Sequence, residues 1–129
     1  MPYVRISLLE GKSADYLGSL SDTLHQAMVE TFNVPAKDRF HIFHQLASEA
    51  FVFDREYMCG PRSDDFVLIA ITTGRTRDAA TRQAFFRRLA DLLEIAPGIR
   101  RQDVMVVITN SEMGEWSFGD GVSALPVAV

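Results

Sequence analysis

Residues 2–9 read Pro2-Tyr3-Val4-Arg5-Ile6-Ser7-Leu8-Leu9. Val4, Ile6 and Leu8 point one way and Tyr3, Arg5 and Ser7 the other, the period of a strand with one buried face. Glu10-Gly11-Lys12 breaks the alternation. Ser13 then stands as an N-cap, with Asp15 in the turn after it. Leu17, Leu20, Leu24, Ala27, Met28 and Phe32 recur at three- and four-residue steps, which predicts an amphipathic helix from Ser13 to Phe32. Asn33 and Pro35 stop it. Alternation returns from Asp38 to Leu46, with Phe40, Ile42, His44 and Leu46 on one face.

The second half repeats this order. Phe66 to Ile71 is a continuous apolar run, as expected of a strand covered on both faces, and Thr72-Thr73-Gly74 ends it. Asp78 to Glu94 reads as a helix with Phe85, Leu89, Leu92 and Leu93 as its buried stripe. Pro97-Gly98 ends the helix, and Val104 to Thr109 is another apolar strand. Pro2 and Phe66, like Arg39 and Asp103, lie about 64 positions apart. Two β-α-β units, 2–46 and 66–110, therefore predict a single domain over 1–129. It is of α/β (α+β) class, a mixed sheet with both helices on one face, because each crossover is right-handed. The other sheet face then has no cover within one chain, yet its strands are apolar. That predicts oligomerisation. Between the units, Phe51-Val52-Phe53 reads as a short edge strand and Cys59-Gly60-Pro61 as loop. After Asn110 the chain is turn-rich and runs through Trp116-Ser117-Phe118-Gly119.

Bulk properties narrow the function. A chain of 129 residues with 47% hydrophobic and 23% charged residues has the balance of a soluble globular domain. A net charge of −4 leaves no basic excess for a nucleic-acid backbone. No apolar run approaches membrane-spanning length, and the start lacks a basic-then-apolar signal layout. The single cysteine, Cys59, excludes an internal disulfide and points to a reducing cytoplasm. His41 and His44 fall on opposite strand faces with no Cys or acidic partner at ligand spacing, so no metal site is expected. No glycine-rich phosphate loop is present and no cofactor is implied.

Pro2 carries chemistry of its own. Proline is small enough for methionine removal to leave it as the N-terminus, with a secondary, ring-constrained amine. An ordinary α-amino group titrates near pH ~8. Cationic neighbours or burial favour its neutral base; a nearby carboxylate favours the cationic acid. Pro2 is thus a candidate general base, general acid or iminium-forming nucleophile. Arg75-Thr76-Arg77 presents two guanidinium groups at a helix N-terminus, a natural anion clamp.

Longer motifs point to a family. Leu8-Leu9-Glu10-Gly11-Lys12-Ser13, Leu24-His25-Gln26-Ala27-Met28-Val29, Val34-Pro35-Ala36-Lys37-Asp38-Arg39-Phe40 and Glu115-Trp116-Ser117-Phe118-Gly119 resemble the malonate semialdehyde decarboxylase branch of the tautomerase superfamily. The resemblance spans nearly the whole chain. It implies the duplicated β-α-β tautomerase fold, with a four-stranded mixed sheet, extra short strands and assembly as a homotrimer. It also implies an enzyme, an isomerase or a lyase, acting on small oxo acids by decarboxylation, hydration or keto–enol tautomerisation. A non-catalytic trimer binding small acids on the same scaffold is the alternative.

Residue by residue, the resemblance makes Pro2 the catalytic proline and Asp38 the catalytic aspartate. Arg75 and Arg77 correspond to the arginines that hold the substrate carboxylate. The residue between them is proline in the decarboxylases and Thr76 here. His25 matches a helix histidine of the branch. Trp116 and Phe118 match aromatic residues that wall the pocket.

Overall fold

In a computed structural model, which describes residues 2–125, the chain runs β1 (Pro2–Leu9), α1 (Ala14–Phe32), β2 (His41–Leu46), β3 (Val67–Thr73), α2 (Ala79–Ile95) and β4 (Val104–Asn110). Short 3₁₀ turns occur at Ser48–Ala50, Arg101–Asp103 and Met113–Glu115. The four strands form one mixed sheet in the order β2-β1-β3-β4. β1 and β3 pair antiparallel at its centre, while β2 and β4 add parallel on the outside. Among the described residues, the only further pairing is the bridge between Ser117 and Ser123.

Local chemistry sets the helix ends. Ser13 caps α1 by accepting from Tyr16 N, and Asn33 closes it in the left-handed conformation at φ 55°. Asp78 caps α2 by accepting from Thr81 N. Ser13 is the cap expected from the sequence, whereas Asp78 is a cap and not the first helical residue. Both helices cover one sheet face. Val4, Ile6, Leu8, Val67, Ile69 and Ile71 meet Leu20, Leu24, Met28, Phe85, Leu89 and Leu93 in one continuous core. Phe32 and Phe85 stack at 4.4 Å and tie the C-terminal end of α1 to the first half of α2.

The opposite sheet face is open. The register puts Arg5, Ala70 and Ile42 there, with Met105 and Val107 exposed beside them. The alternating series Phe40, Ile42, His44, Leu46 lies on this open side. It is His41 and Phe43, opposite Val4 and Ile6, that face the helices. Periodicity detects that a strand has two unlike faces but not which one its own core takes.

Other expectations are corrected. β2 begins at His41, because Pro35–Asp38 forms a turn closed by Asp38 N donating to Pro35 O at 2.9 Å. β3 begins at Val67 and runs on through Thr73. Phe51-Val52-Phe53 is not an edge strand. The Phe51 and Phe53 rings pack on Phe66 at 5.6 and 4.4 Å, so these residues are fixed by ring burial and not by a ladder. Among the described residues, no helix is long and apolar enough to cross a membrane.

Candidate active site

Pro2 is the first residue of β1, is buried, and lies opposite Thr73 at the end of β3. Thr73 is the hub of this end of the sheet. Its carbonyl accepts from Ser111 N at 2.8 Å and from Ser111 Oγ at 3.0 Å. Ser111 Oγ in turn accepts from Trp116 Nε1 at 2.7 Å. The segment after β4 is thereby pinned beside the start of β1.

The two arginines differ. Arg77 Nη1 donates to Thr73 Oγ1 at 2.7 Å and to Arg75 O at 2.9 Å, and Nη2 donates to Phe32 O at 3.0 Å. Phe32 is the last residue of α1, whose final carbonyls have no partner within the helix. The guanidinium also lies 4.4 Å over the Phe32 ring. Burial, then the charge of Arg75, lowers the Arg77 pKa, though an arginine stays cationic. Arg75 is exposed, and its side chain makes no hydrogen bond or ion pair among the described residues. Both arginines line a cavity of about 360 Å³ with Asn33, Pro35, Gly74 and Met113.

A second, apolar cavity of about 370 Å³ lies on the open side of the sheet, walled by Tyr3, Phe40, Ile42, Trp116 and Phe118. Trp116 stacks on Phe118 at 5.6 Å and meets Tyr3 edge-on at 6.1 Å. Gly74 lines the arginine cavity and lies close to Trp116 of the apolar one. A Cβ there would stand 2.6 Å from Met113 Sδ and 3.2 Å from Trp116 Nε1, so a side chain at 74 displaces Met113 and presses on the indole.

Asp38 is half-buried in the turn leading into β2. Val4 N donates to Phe40 O at 2.9 Å, and Pro2 and Asp38 stand two residues earlier on the two segments so joined. Arg39 does not pair with Asp38; it reaches Asp22 on α1 at 2.6 Å. His25 lines neither cavity. It sits beneath the turn, 6% exposed, with Nε2 2.8 Å from Ala36 O. Pro2, Asp38, Arg75, Arg77 and Trp116 thus gather at one end of the sheet, Phe118 walls its open side, and His25 lies behind. Sequence reasoning missed Thr73, Ser111 and Tyr3. Only Gly74, a glycine between a strand and an arginine pair, carried a local signal.

A duplicated β-α-β fold with a proline opening its central strand and arginines at the end of the facing strand defines a tautomerase-like chain. Two family models, each described as "Tautomerase enzyme", match residues 38–119 and 2–58. The chain belongs to this family. It is 34% identical to "Probable tautomerase YusQ" of Bacillus subtilis (strain 168), over 94% of this chain and 95% of the relative. A crystal structure of malonate semialdehyde decarboxylase superposes with a TM-score of 0.87 at 31% identity, covering 93% of this chain and 92% of that one. A fused 4-OT symmetric trimer, at 17% identity, shares the fold with a TM-score of 0.76 over 95% of each chain.

Proposed function

We propose that this tautomerase-family enzyme acts on small oxo acids through the free amine of Pro2, exposed by loss of Met1. Its reaction is either a malonate semialdehyde decarboxylase-like cleavage or a keto–enol tautomerisation or hydration. The observation that carries the reading is the pairing of Pro2 with Thr73, whose hydroxyl is bonded to Arg77. The proline and the arginine loop therefore share one strand end. The malonate semialdehyde decarboxylase likeness supports the same chemistry.

In this reading Arg75 holds the substrate carboxylate, with Arg77 shaping the loop behind it. A neutral Pro2 removes a proton beside the substrate carbonyl and returns it elsewhere, which interconverts keto and enol forms. A cationic Pro2 polarises the carbonyl by donating an N–H to its oxygen; the neutral amine instead attacks the carbonyl carbon and, with loss of water, forms a cationic iminium. The C–CO₂ bond of a β-carboxylate then breaks, its electron pair passes into that sink, and the carbon is reprotonated. Asp38 favours the cationic amine or orients a water. Trp116 and Phe118 exclude bulk water and strengthen these interactions.

A homotrimer completes the reading. The exposed Ile42, Met105 and Val107 of the open sheet face need cover, and the fused 4-OT protein of the same fold is a trimer. Exposed Cys59 suits the reducing cytoplasm.

The test is release of carbon dioxide from malonate semialdehyde and ketonisation of an enolic 2-oxo acid, with loss of Met1 verified by mass. Pro2→Ala is expected to lower kcat ~10²–10⁴-fold, the contribution of a positioned acid or base. Inactivity of the free-proline chain on both substrates favours the binding protein instead.

A further inference from the structure

Helix α1 grips the Asp38 turn from both sides. Upstream, the His25 ring bonds Ala36 O at 2.8 Å. Downstream, Arg39 Nη1 meets Asp22 Oδ1 at 2.6 Å. The Asp38 N–H closes the turn on Pro35 O at 2.9 Å. The two tethers are unlike. Arg39–Asp22 is an exposed ion pair, a class that contributes little. His25 is 6% exposed, and a carbonyl only accepts, so its Nε2 carries the proton.

The other ring nitrogen is the telling one. His25 Nδ1 is out of solvent contact and has no hydrogen-bond partner among the described residues. A buried nitrogen left unmet is costly. Leucine or methionine would fill the same place in the apolar stripe of α1 without that cost, next to Leu24 and Met28. What histidine supplies and an aliphatic residue does not is the bond to Ala36 O. The ring is also oriented. His41 lies edge-on to it, centroids 6.3 Å apart at 68°, and is itself held by Ser21 Oγ at 2.7 Å.

We infer that His25 is a positioning residue, whose Nε2–H bond to Ala36 O sets the 35–38 turn and so aims the Asp38 carboxylate at the Pro2 end of β1. The inference rests on the role proposed for Asp38 above. A misplacement of about 1 Å costs about 100-fold in rate when it falls on a catalytic group. The effect on substrate binding is smaller, because Arg75 and Arg77 belong to the loop after β3 and only Pro35 of the turn lines their cavity.

The experiment compares His25→Leu, His25→Gln and Asp38→Asn by steady-state kinetics and by amide hydrogen exchange without substrate. His25→Leu is expected to speed exchange at the Asp38 amide about 10-fold or more and to lower kcat about 10–100-fold, with KM within about 3-fold. His25→Gln, whose terminal amide still donates, restores both. Where His25→Leu does not fold, His25→Asn, too short to reach Ala36 O, carries the same expectation. Unchanged kcat and exchange in a folded variant overturn the inference, as does a loss confined to KM or one that glutamine does not rescue. If Asp38→Asn keeps full activity, the catalytic role of Asp38 falls and His25 cannot act through it. If Asp38→Asn is impaired while His25→Leu is not, only the inference falls.

Discussion

Arg77 Nη1 stands 2.7 Å from Thr73 Oγ1, and Thr73 is the residue opposite Pro2 in the β1–β3 register. The same guanidinium binds Phe32 O, so one side chain joins the C-terminal end of α1, the end of β3 and the start of β1. Arg75, two residues away, faces solvent without such partners.

That division separates the effects of the two arginines. Arg75→Ala is expected to raise KM about 10–100-fold, the worth of a charge-assisted bond to a carboxylate, and to leave the melting temperature unchanged. Arg77→Ala leaves Phe32 O and the Thr73 hydroxyl without their donor and is expected to cost about 1–3 kcal/mol of stability, seen as an earlier thermal transition. Arg77→Lys does not rescue, because a point ammonium cannot span the three acceptors. Thermal melts beside kcat and KM check the pair; an early melt for Arg75→Ala alone reverses the assignment.

Gly74 is expected to tolerate no side chain without disturbing Trp116. The added methyl of Gly74→Ala meets Met113 Sδ and the indole nitrogen. Met113 is flexible enough to move, whereas the indole is held by Ser111. Gly74→Ala therefore folds, at a cost of about 1–3 kcal/mol, and shifts the emission of Trp116, the single tryptophan. An unchanged emission spectrum with unchanged activity would show that the close approach at Gly74 does not set the position of Trp116.

His41 makes stability depend on pH. Burial, then the charges of Arg39 and His25, pushes its pKa down to about 4. In the unfolded chain the group titrates near its ordinary 6.5. Between these values the unfolded state binds a proton that the folded state does not, so stability present above pH 6.5 is lost as pH falls toward 4. Urea unfolding at pH 7 and pH 5 is expected to show this loss, and His41→Gln to flatten it. An equal slope in the variant assigns the dependence to another group.

Asp103 anchors the long segment between the two β-α-β units. It is 0% exposed and accepts from Ser63 N at 2.7 Å, Ser63 Oγ at 2.6 Å and Arg100 Nε at 3.4 Å. Burial pushes its carboxyl up, but the Ser63 bonds and Arg100 outweigh this and hold it below the usual range. Asp103→Asn is expected to cost about 1–3 kcal/mol. It also speeds chymotryptic cleavage at exposed Tyr57, which digestion under native conditions measures. Cleavage at the wild-type rate would place the anchor elsewhere.

Much of this molecule was legible because it is local. The Ser13 cap and the Asn33 stop each act over a few residues, and the strands and helices show their own periods. Side-chain partners across long separations left no such mark. His25 reads as a helix histidine until the chain returns to place Ala36 over it. Arg77 reads as half of an anion clamp until folding brings Phe32, 45 positions earlier, beneath its guanidinium. Phe51 and Phe53 alternate like a strand, yet their rings pack on Phe66 and the segment joins no ladder among the described residues.

By itself the sequence determined the order strand, helix, strand, twice over, together with the residue types available for chemistry, since hydrophobic period and capping are set by neighbours along the chain. The tertiary structure alone decided which face of β2 meets the helices, which arginine is bound into the fold and which faces solvent, and that Pro2 lies across from Thr73. Those outcomes depend on register and on contacts between segments far apart in the chain. A one-residue change in strand register exchanges every inward and outward side chain while leaving the local pattern the same.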